Sequence, residues 1–329
     1  MRLENFLALT QTSLYNEPCV NSFENIVFEA RKVNRGDLFF AYDEEEIAQA
    51  VENGAYGVVC SNKPIHVEDN EIAWIKSTDI DETLKRLLRF KIIEKEVIVY
   101  ECNEIILKLA LQVQTQTNLL ILHGSLQNIY KHIHAADSRA TILFSPTLND
   151  RDLFANIKTL PSTAIKPIEI MEQTLFETSF IYDDVFYERQ LISPLFMPYL
   201  EELLHLYKSL NVSFRIRRFT PIEHFEPVFT NKKLEIKNFG ASDKVLIFES
   251  NKELMAREID FLQHRASWAN VIFILPAGGV YPDYTNIFEY ENEDNILDIL
   301  KTTSFNFALI VGADKSILKN QEELTPTLF

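Results

Sequence analysis

Glu96-Val97-Ile98-Val99-Tyr100-Glu101-Cys102-Asn103-Glu104-Ile105-Ile106-Leu107-Lys108-Leu109-Ala110-Leu111-Gln112-Val113-Gln114 joins a short apolar run to an amphipathic one across three residues. The first run, Glu96–Tyr100, is short and β-branched, which predicts a buried strand. The second, Glu104–Gln114, repeats Ile and Leu at helical spacing, which predicts a helix. The order then recurs as a strand at Leu119–Leu122, a helix from Leu126 to His134 and a strand at Thr141–Phe144. Near-continuous apolar strands alternating with helices predict a parallel sheet covered on both faces.

Upstream, Val27–Glu29 and Leu38–Tyr42 read as strands around a turn at Asn34-Arg35-Gly36. A helix over Glu44–Asn53 follows with Gly54 as its cap, then strands at Val58–Cys60 and Ala73–Lys76 and a helix over Ile80–Phe90. Downstream come a helix at Tyr199–Leu210 and a strand around Leu234–Ile236. The remainder alternates: strand Val245–Phe248, helix Lys252–Ala266, strand Asn270–Leu275, a Gly278-Gly279 turn, strand Asn286–Glu289, helix Asp294–Lys301 and strand Phe307–Val311. The expectation is an α/β chain of three domains. Residues 1–90 form a mixed α/β domain, 91–240 a central parallel-sheet domain and 241–329 a Rossmann-like domain.

The chain has 329 residues, is 47% hydrophobic and carries a formal charge of −16. That excess of acid repels phosphate backbones and anionic lipid, so neither nucleic acid nor a membrane surface is expected as a general partner. Arg215, Arg217 and Arg218 read as a solvated strand edge. Three scattered cysteines, Cys19, Cys60 and Cys102, suit a reducing compartment. The first residues, Met1 to Asn5, do not pattern as a signal peptide, and no apolar stretch is long enough to insert in a membrane, so a cytoplasmic protein is expected. With 8 glycines against 24 phenylalanines, few backbone positions are suited to cradling phosphate.

Candidate chemistry is sparse. His132 and His134 lie two apart on one helix and point to different faces, so with His123 they make no metal site. Asp183-Asp184 reads as the turn of a hairpin. The aromatic stretch Phe176–Tyr199 reads either as packing or as an interface for a partner. No serine, cysteine or zinc-hydrolase signature occurs. No cofactor is implied.

Glu29-Ala30-Arg31-Lys32-Val33-Asn34-Arg35-Gly36-Asp37-Leu38-Phe39-Phe40-Ala41 resembles the opening of a Mur ligase, in particular the branch that adds D-alanyl-D-alanine to a UDP-muramoyl-tripeptide. Asn53-Gly54-Ala55 with Val58-Val59, Phe225-Glu226-Pro227-Val228, Leu234-Glu235-Ile236 and Met255–Leu262 resemble later segments of that family in the same order. The resemblance implies a UDP-substrate domain, an ATPase domain and a domain for the incoming amino compound. It singles out Arg31, Lys32 and Asp37 as candidate contacts for a uridine nucleotide.

The family's ATPase domain uses a Gly-rich loop ending Gly-Lys-Thr, whose amides cradle phosphate while the lysine reaches the γ-phosphate. At the corresponding place stand Glu101, Cys102 and Asn103, with no glycine and one repelling carboxylate. The next strand-helix turn, His123 to Lys131, has one glycine, and no Gly-Lys pair occurs in the chain. Three readings result. The first is a non-catalytic Mur-ligase-like protein that binds or scaffolds a protein partner in peptidoglycan precursor synthesis. The second is a ligase or UDP-muramoyl-peptide-processing enzyme with a rebuilt site. The third is a module that binds a small ligand in the old interdomain cleft.

Overall fold

The computed structural model describes residues 1–63, 69–115, 119–161, 168–242, 244–279, 281 and 284–321. Their packing divides the chain into two compact units, Met1–Leu107 with Gln116–Leu160, and Lys108–Thr115 with Pro161–Phe329.

The first unit holds two sheets. One orders its strands Ser13–Leu14, Ala73–Lys76, Gly57–Cys60, Leu38–Phe40 and Ile26–Val27, all parallel except the first pair. Alternation along Leu38–Phe40 sends Leu38 and Phe40 to one core and Phe39 to another, so both faces are buried. The second sheet is wholly parallel, in the order Ile157–Thr159, Ile98–Glu101, Thr141–Phe144 and Leu119–Ile121. Phe40 and Val59 of the first sheet and Val99, Ile142 and Phe144 of the second enter one core with Leu84, Leu87 and Leu88 of helix Ile80–Glu94. Each of those leucines is 0% exposed, a burial that stabilises by about 1.5–3 kcal/mol apiece.

The second unit carries the antiparallel sheet Glu169–Gln173, Thr178–Tyr182 and Val185–Gln190, and the pair Val113–Thr115 with Phe214–Ile216. Its five-stranded sheet runs Glu226–Thr230, Lys244–Glu249, Phe307–Val311, Val271–Pro276 and Ile287–Tyr290. Only the first strand of that sheet is antiparallel to its neighbour. Helix Met255–Arg265 follows strand Lys244–Glu249, and helix Glu293–Thr302 precedes strand Phe307–Val311.

Strands Ala73–Lys76, Thr141–Phe144 and Phe307–Val311 occupy the residues read from the sequence. Asp183 (φ 51°) and Asp184 (φ 62°) form the hairpin turn anticipated there. Other expectations need correction. The helix begun at Glu104 ends at Ala110, because Val113–Thr115 pairs with Phe214–Ile216 instead of continuing it. The Glu44–Asn53 helix divides into a 3-10 turn at Glu44–Glu46 and an α-helix at Ile47–Glu52. Leu234–Ile236 makes no strand, only a bridge from Ile236 to Thr230. Helix Leu3–Thr10 was not anticipated; its inner side is set by Leu3, Phe6 and Thr10.

Gly57 opens the central strand of the first sheet where there is no room for a side chain. A Cβ there would lie 2.5 Å from Phe23 Cε1 and 2.8 Å from Leu38 Cδ1. Phe23 and Leu38 are both buried, so neither can swing aside cheaply. Gly57→Ala is expected to destabilise the protein by about 1–3 kcal/mol in urea unfolding, as overpacked cores do. Unchanged stability would show that this wall yields.

Candidate functional site

Arg31, Lys32 and Asp37 all lie in the first unit but have different roles there. Arg31–Lys32 belong to a 3-10 turn, Ala30–Lys32, and both cations bond Glu29, at 3.0 Å and 2.7 Å. Those partners, with Lys131 at 3.4 Å, hold the Glu29 carboxyl low, to about 2. Arg31 remains 76% exposed and Lys32 58% exposed, so both heads reach solvent. Asp37 is 1% exposed and accepts from Asn25 N (3.2 Å), Asn25 Nδ2 (3.0 Å) and Asn34 N (2.9 Å). It ties the turn before strand Leu38–Phe40. The sequence suggests an Arg31–Asp37 ion pair as the bland alternative to a ligand contact; the cation pairs with Glu29 instead, because Asp37 is occupied by amides.

At the turn that the resemblance sets against a phosphate loop, the connection is shorter than the sequence suggests. Glu101 completes strand Ile98–Glu101, leaving only Cys102 and Asn103 before helix Glu104–Ala110. Cys102 N donates to Phe144 O at 2.9 Å, and Asn103 Oδ1 accepts from Ile105 N at 2.7 Å as a helix cap. The Glu101 carboxylate meets Arg151 at 2.9 Å. At the next turn Gly124 has φ 83°, and Ser125 caps helix Leu126–Ala135. The His123 and His132 rings lie 6.1 Å apart, while His134 stacks on Tyr130. Among the described residues no group of three His, Cys, Asp or Glu side chains is placed to hold a metal ion. No helix among them is long and apolar enough to cross a membrane.

Within the aromatic stretch, Phe176, Phe180, Tyr182 and Phe196 are buried, and Tyr187 stacks on Phe180 at 5.1 Å. Tyr199 lies under the Arg257 guanidinium. Only Phe186 stands out, 54% exposed. Phe176, Phe180, Tyr182 and Phe196 are therefore packing, whereas strand Val185–Gln190, which carries Phe186, lies largely at the surface.

Sequence reasoning missed a buried polar cluster in the second unit. Glu249 ends a parallel strand, 0% exposed, and accepts from His224 Nδ1 (2.9 Å), Phe225 N (3.1 Å) and Asn251 N (2.7 Å). Lys108 Nζ lies 3.1 Å from His224 Nε2, on the far side of the ring from Glu249. The bonds to Glu249 hold Phe225 at φ 45°, an unusual backbone for a bulky residue. Glu258, 1% exposed, has the Glu249 carboxylate beside it and no other hydrogen-bond partner among the described residues. Burial first, then the charge of Glu249 and the bond shared with it, push the Glu258 carboxyl well above the ordinary value. Burial also raises that of Glu249, but the bonds from His224 and Glu258 and the charge of His224 outweigh this and lower it. An imidazole–carboxylate pair can move protons, but this one is sealed from solvent and orders the loop around Phe225. The one sequence signal was the acid directly after the apolar run Val245–Phe248; His224 sits in a loop without pattern.

No protein-family model matches the chain, and no curated protein matches it. Solved structures do. Crystal structure I of MurF from Acinetobacter baumannii is 10% identical, with 98% of each chain covered and a TM-score of 0.55. The MurF ligase from Thermotoga maritima in complex with ADP is 11% identical, covering 92% of this chain and 96% of that one, with a TM-score of 0.51. At such identities the likeness is one of fold: the chain has a Mur-ligase-like α/β fold.

The buried acid pair has a measurable signature. A carboxyl whose folded pKa is raised weighs against folding once pH passes its ordinary value, 4.5 for Glu258. Glu258→Gln removes that penalty. Its gain in melting temperature over the wild type is expected to grow as pH rises above 4.5. A gain that is flat or shrinks with pH would contradict the assignment.

Proposed function

We propose that this chain is a non-catalytic Mur-ligase-like protein that binds a component of peptidoglycan precursor metabolism and does not consume ATP. The observation that carries the reading is the two-residue connection Cys102-Asn103. Binding a triphosphate there requires several free amides converging on one point. Here the Cys102 amide is bonded to Phe144 O, Asn103 spends its side chain on the helix, and Glu101 adds negative charge. The MurF of Thermotoga maritima was solved with ADP; this turn offers no comparable cradle.

What the fold retains at its amino-terminal sheet supports ligand binding over catalysis. Arg31 and Lys32 present exposed cations beside the turn anchored by Asp37, a plausible anchor for the diphosphate of a uridine nucleotide. A protein partner in cell-wall synthesis would then meet the protein in its loaded state. The rebuilt-enzyme reading draws no support from the His224–Glu249 pair, since a substrate cannot reach groups 2% and 0% exposed.

Two measurements on the full chain test this. With ATP, Mg²⁺, UDP-muramoyl-tripeptide and D-alanyl-D-alanine together, no phosphate release above the no-protein control is expected. UDP-muramoyl-tripeptide alone is expected to raise the melting temperature, because a ligand at 100 times its Kd adds about 2.7 kcal/mol. Arg31→Ala should reduce that rise. Sustained phosphate release would establish an enzyme, and no shift with any UDP compound would remove the binding role.

A further inference from the structure

A cavity of about 460 Å³ opens in the second unit at the amino-terminal edge of the five-stranded sheet, beside Val245 and Phe307. One arc of five aromatic rings lines it. Phe239 touches Phe229 (4.7 Å between centroids), Phe229 touches Phe176 (6.1 Å), Phe176 touches Phe307 (6.3 Å) and Phe307 touches Trp268 (5.9 Å). The three inner rings are each 8% exposed, whereas the end rings, Phe239 and Trp268, are 43% and 76% exposed. A soluble fold normally tucks such rings away; here they stand at the two ends of a concave wall.

We propose that this cavity binds a small planar organic acid, with its ring system against the aromatic arc and its carboxylate on Arg265. The volume falls in the range of small-molecule sites, roughly 300–1,000 Å³, which are mostly apolar with a few polar groups that fix orientation. Arg265 lies at the rim, at the end of helix Met255–Arg265, exposed and without a partner among the described residues. The acid of the lining, Glu177, is already neutralised by Arg189 at 3.2 Å. Among the described residues the charge left unbalanced at the cavity is therefore positive, in a chain whose formal charge is −16. A cationic ligand would be repelled by Arg265, and a neutral one would leave the guanidinium unused. A planar anion satisfies both the rings and the charge. The site shares no residue with the Cys102–Asn103 turn or with Arg31, so it does not depend on the proposed function.

The two tryptophans make the test specific. Trp74 is 2% exposed in the first unit and Trp268 is in the cavity, so 5-fluorotryptophan labelling gives one fluorine resonance for each, assigned with Trp268→Phe. The full chain is titrated with 2-naphthoate and with neutral 2-naphthamide, with affinities read by calorimetry. Saturable 2-naphthoate binding is expected, shifting the Trp268 resonance and leaving that of Trp74 in place. The amide should bind roughly fivefold more weakly, and Arg265→Gln should abolish that difference, the size expected of an exposed charge pair. Both substituted side chains are exposed, so the variants keep the fold. Equal binding of acid and amide in the wild type would overturn the charged-ligand assignment. A shift at Trp74 alone, or no saturation with either probe, would overturn the site.

Discussion

The hydrogen bond from Cys102 N to Phe144 O sets the course of the chain where strand Ile98–Glu101 ends. It extends the pairing of strand Ile98–Glu101 with Thr141–Phe144 by one amide, so the chain stays on the sheet until the residue before Asn103. Asn103 then caps helix Glu104–Ala110 at once. A backbone amide used in this way cannot also bind an anion, and a loop with two residues then has the Asn103 amide to lend and no converging set. Around this turn the parallel sheet, its shared core with the first sheet and the buried Leu84–Leu88 face are those of an ordinary, well-packed α/β unit.

The second unit shows a matching asymmetry between the two edges of its five-stranded sheet. At the carboxyl ends of the strands, where open α/β sheets usually hold ligands, Glu249 is consumed by His224, Phe225 N and Asn251 N. Tyr290 Oη donates to Val311 O at that edge, and the Lys252 side chain lies against Gly312. Polar groups there serve the fold. At the opposite edge the sheet ends in aromatic rings that the fold leaves partly in water, with the Arg265 guanidinium beside them unpaired among the described residues. Groups left unsatisfied by the chain itself are the better markers of a ligand.

Much of the architecture was legible because apolar runs of strand length and helix length alternate. Thr141–Phe144 and Phe307–Val311 are bounded by polar residues and needed no tertiary information. Errors came where tertiary pairing overrode local pattern: Gln112–Gln114 continues a helical spacing, yet Phe214–Ile216 draws Val113–Thr115 into a strand pair. That no glycine stands between Tyr100 and Glu104 was plain from the order of residues alone, but the bond from Cys102 N to Phe144 O was not. The partners of Arg31 and Asp37 were not, because the sequence offers both residues several charges within reach and only packing selects among them. His224, Glu258 and the five-ring arc are brought together from segments far apart in the chain, and no periodicity announces such meetings.

The central claim is that the Cys102–Asn103 turn cannot hold a triphosphate. Phosphorus NMR of millimolar ATP-Mg²⁺ titrated with the full chain addresses it without requiring turnover. The account predicts β- and γ-phosphate resonances unchanged in position and width up to equimolar protein. Saturable broadening or shift of those lines, lost when Glu101 and Cys102 are substituted together, would contradict it.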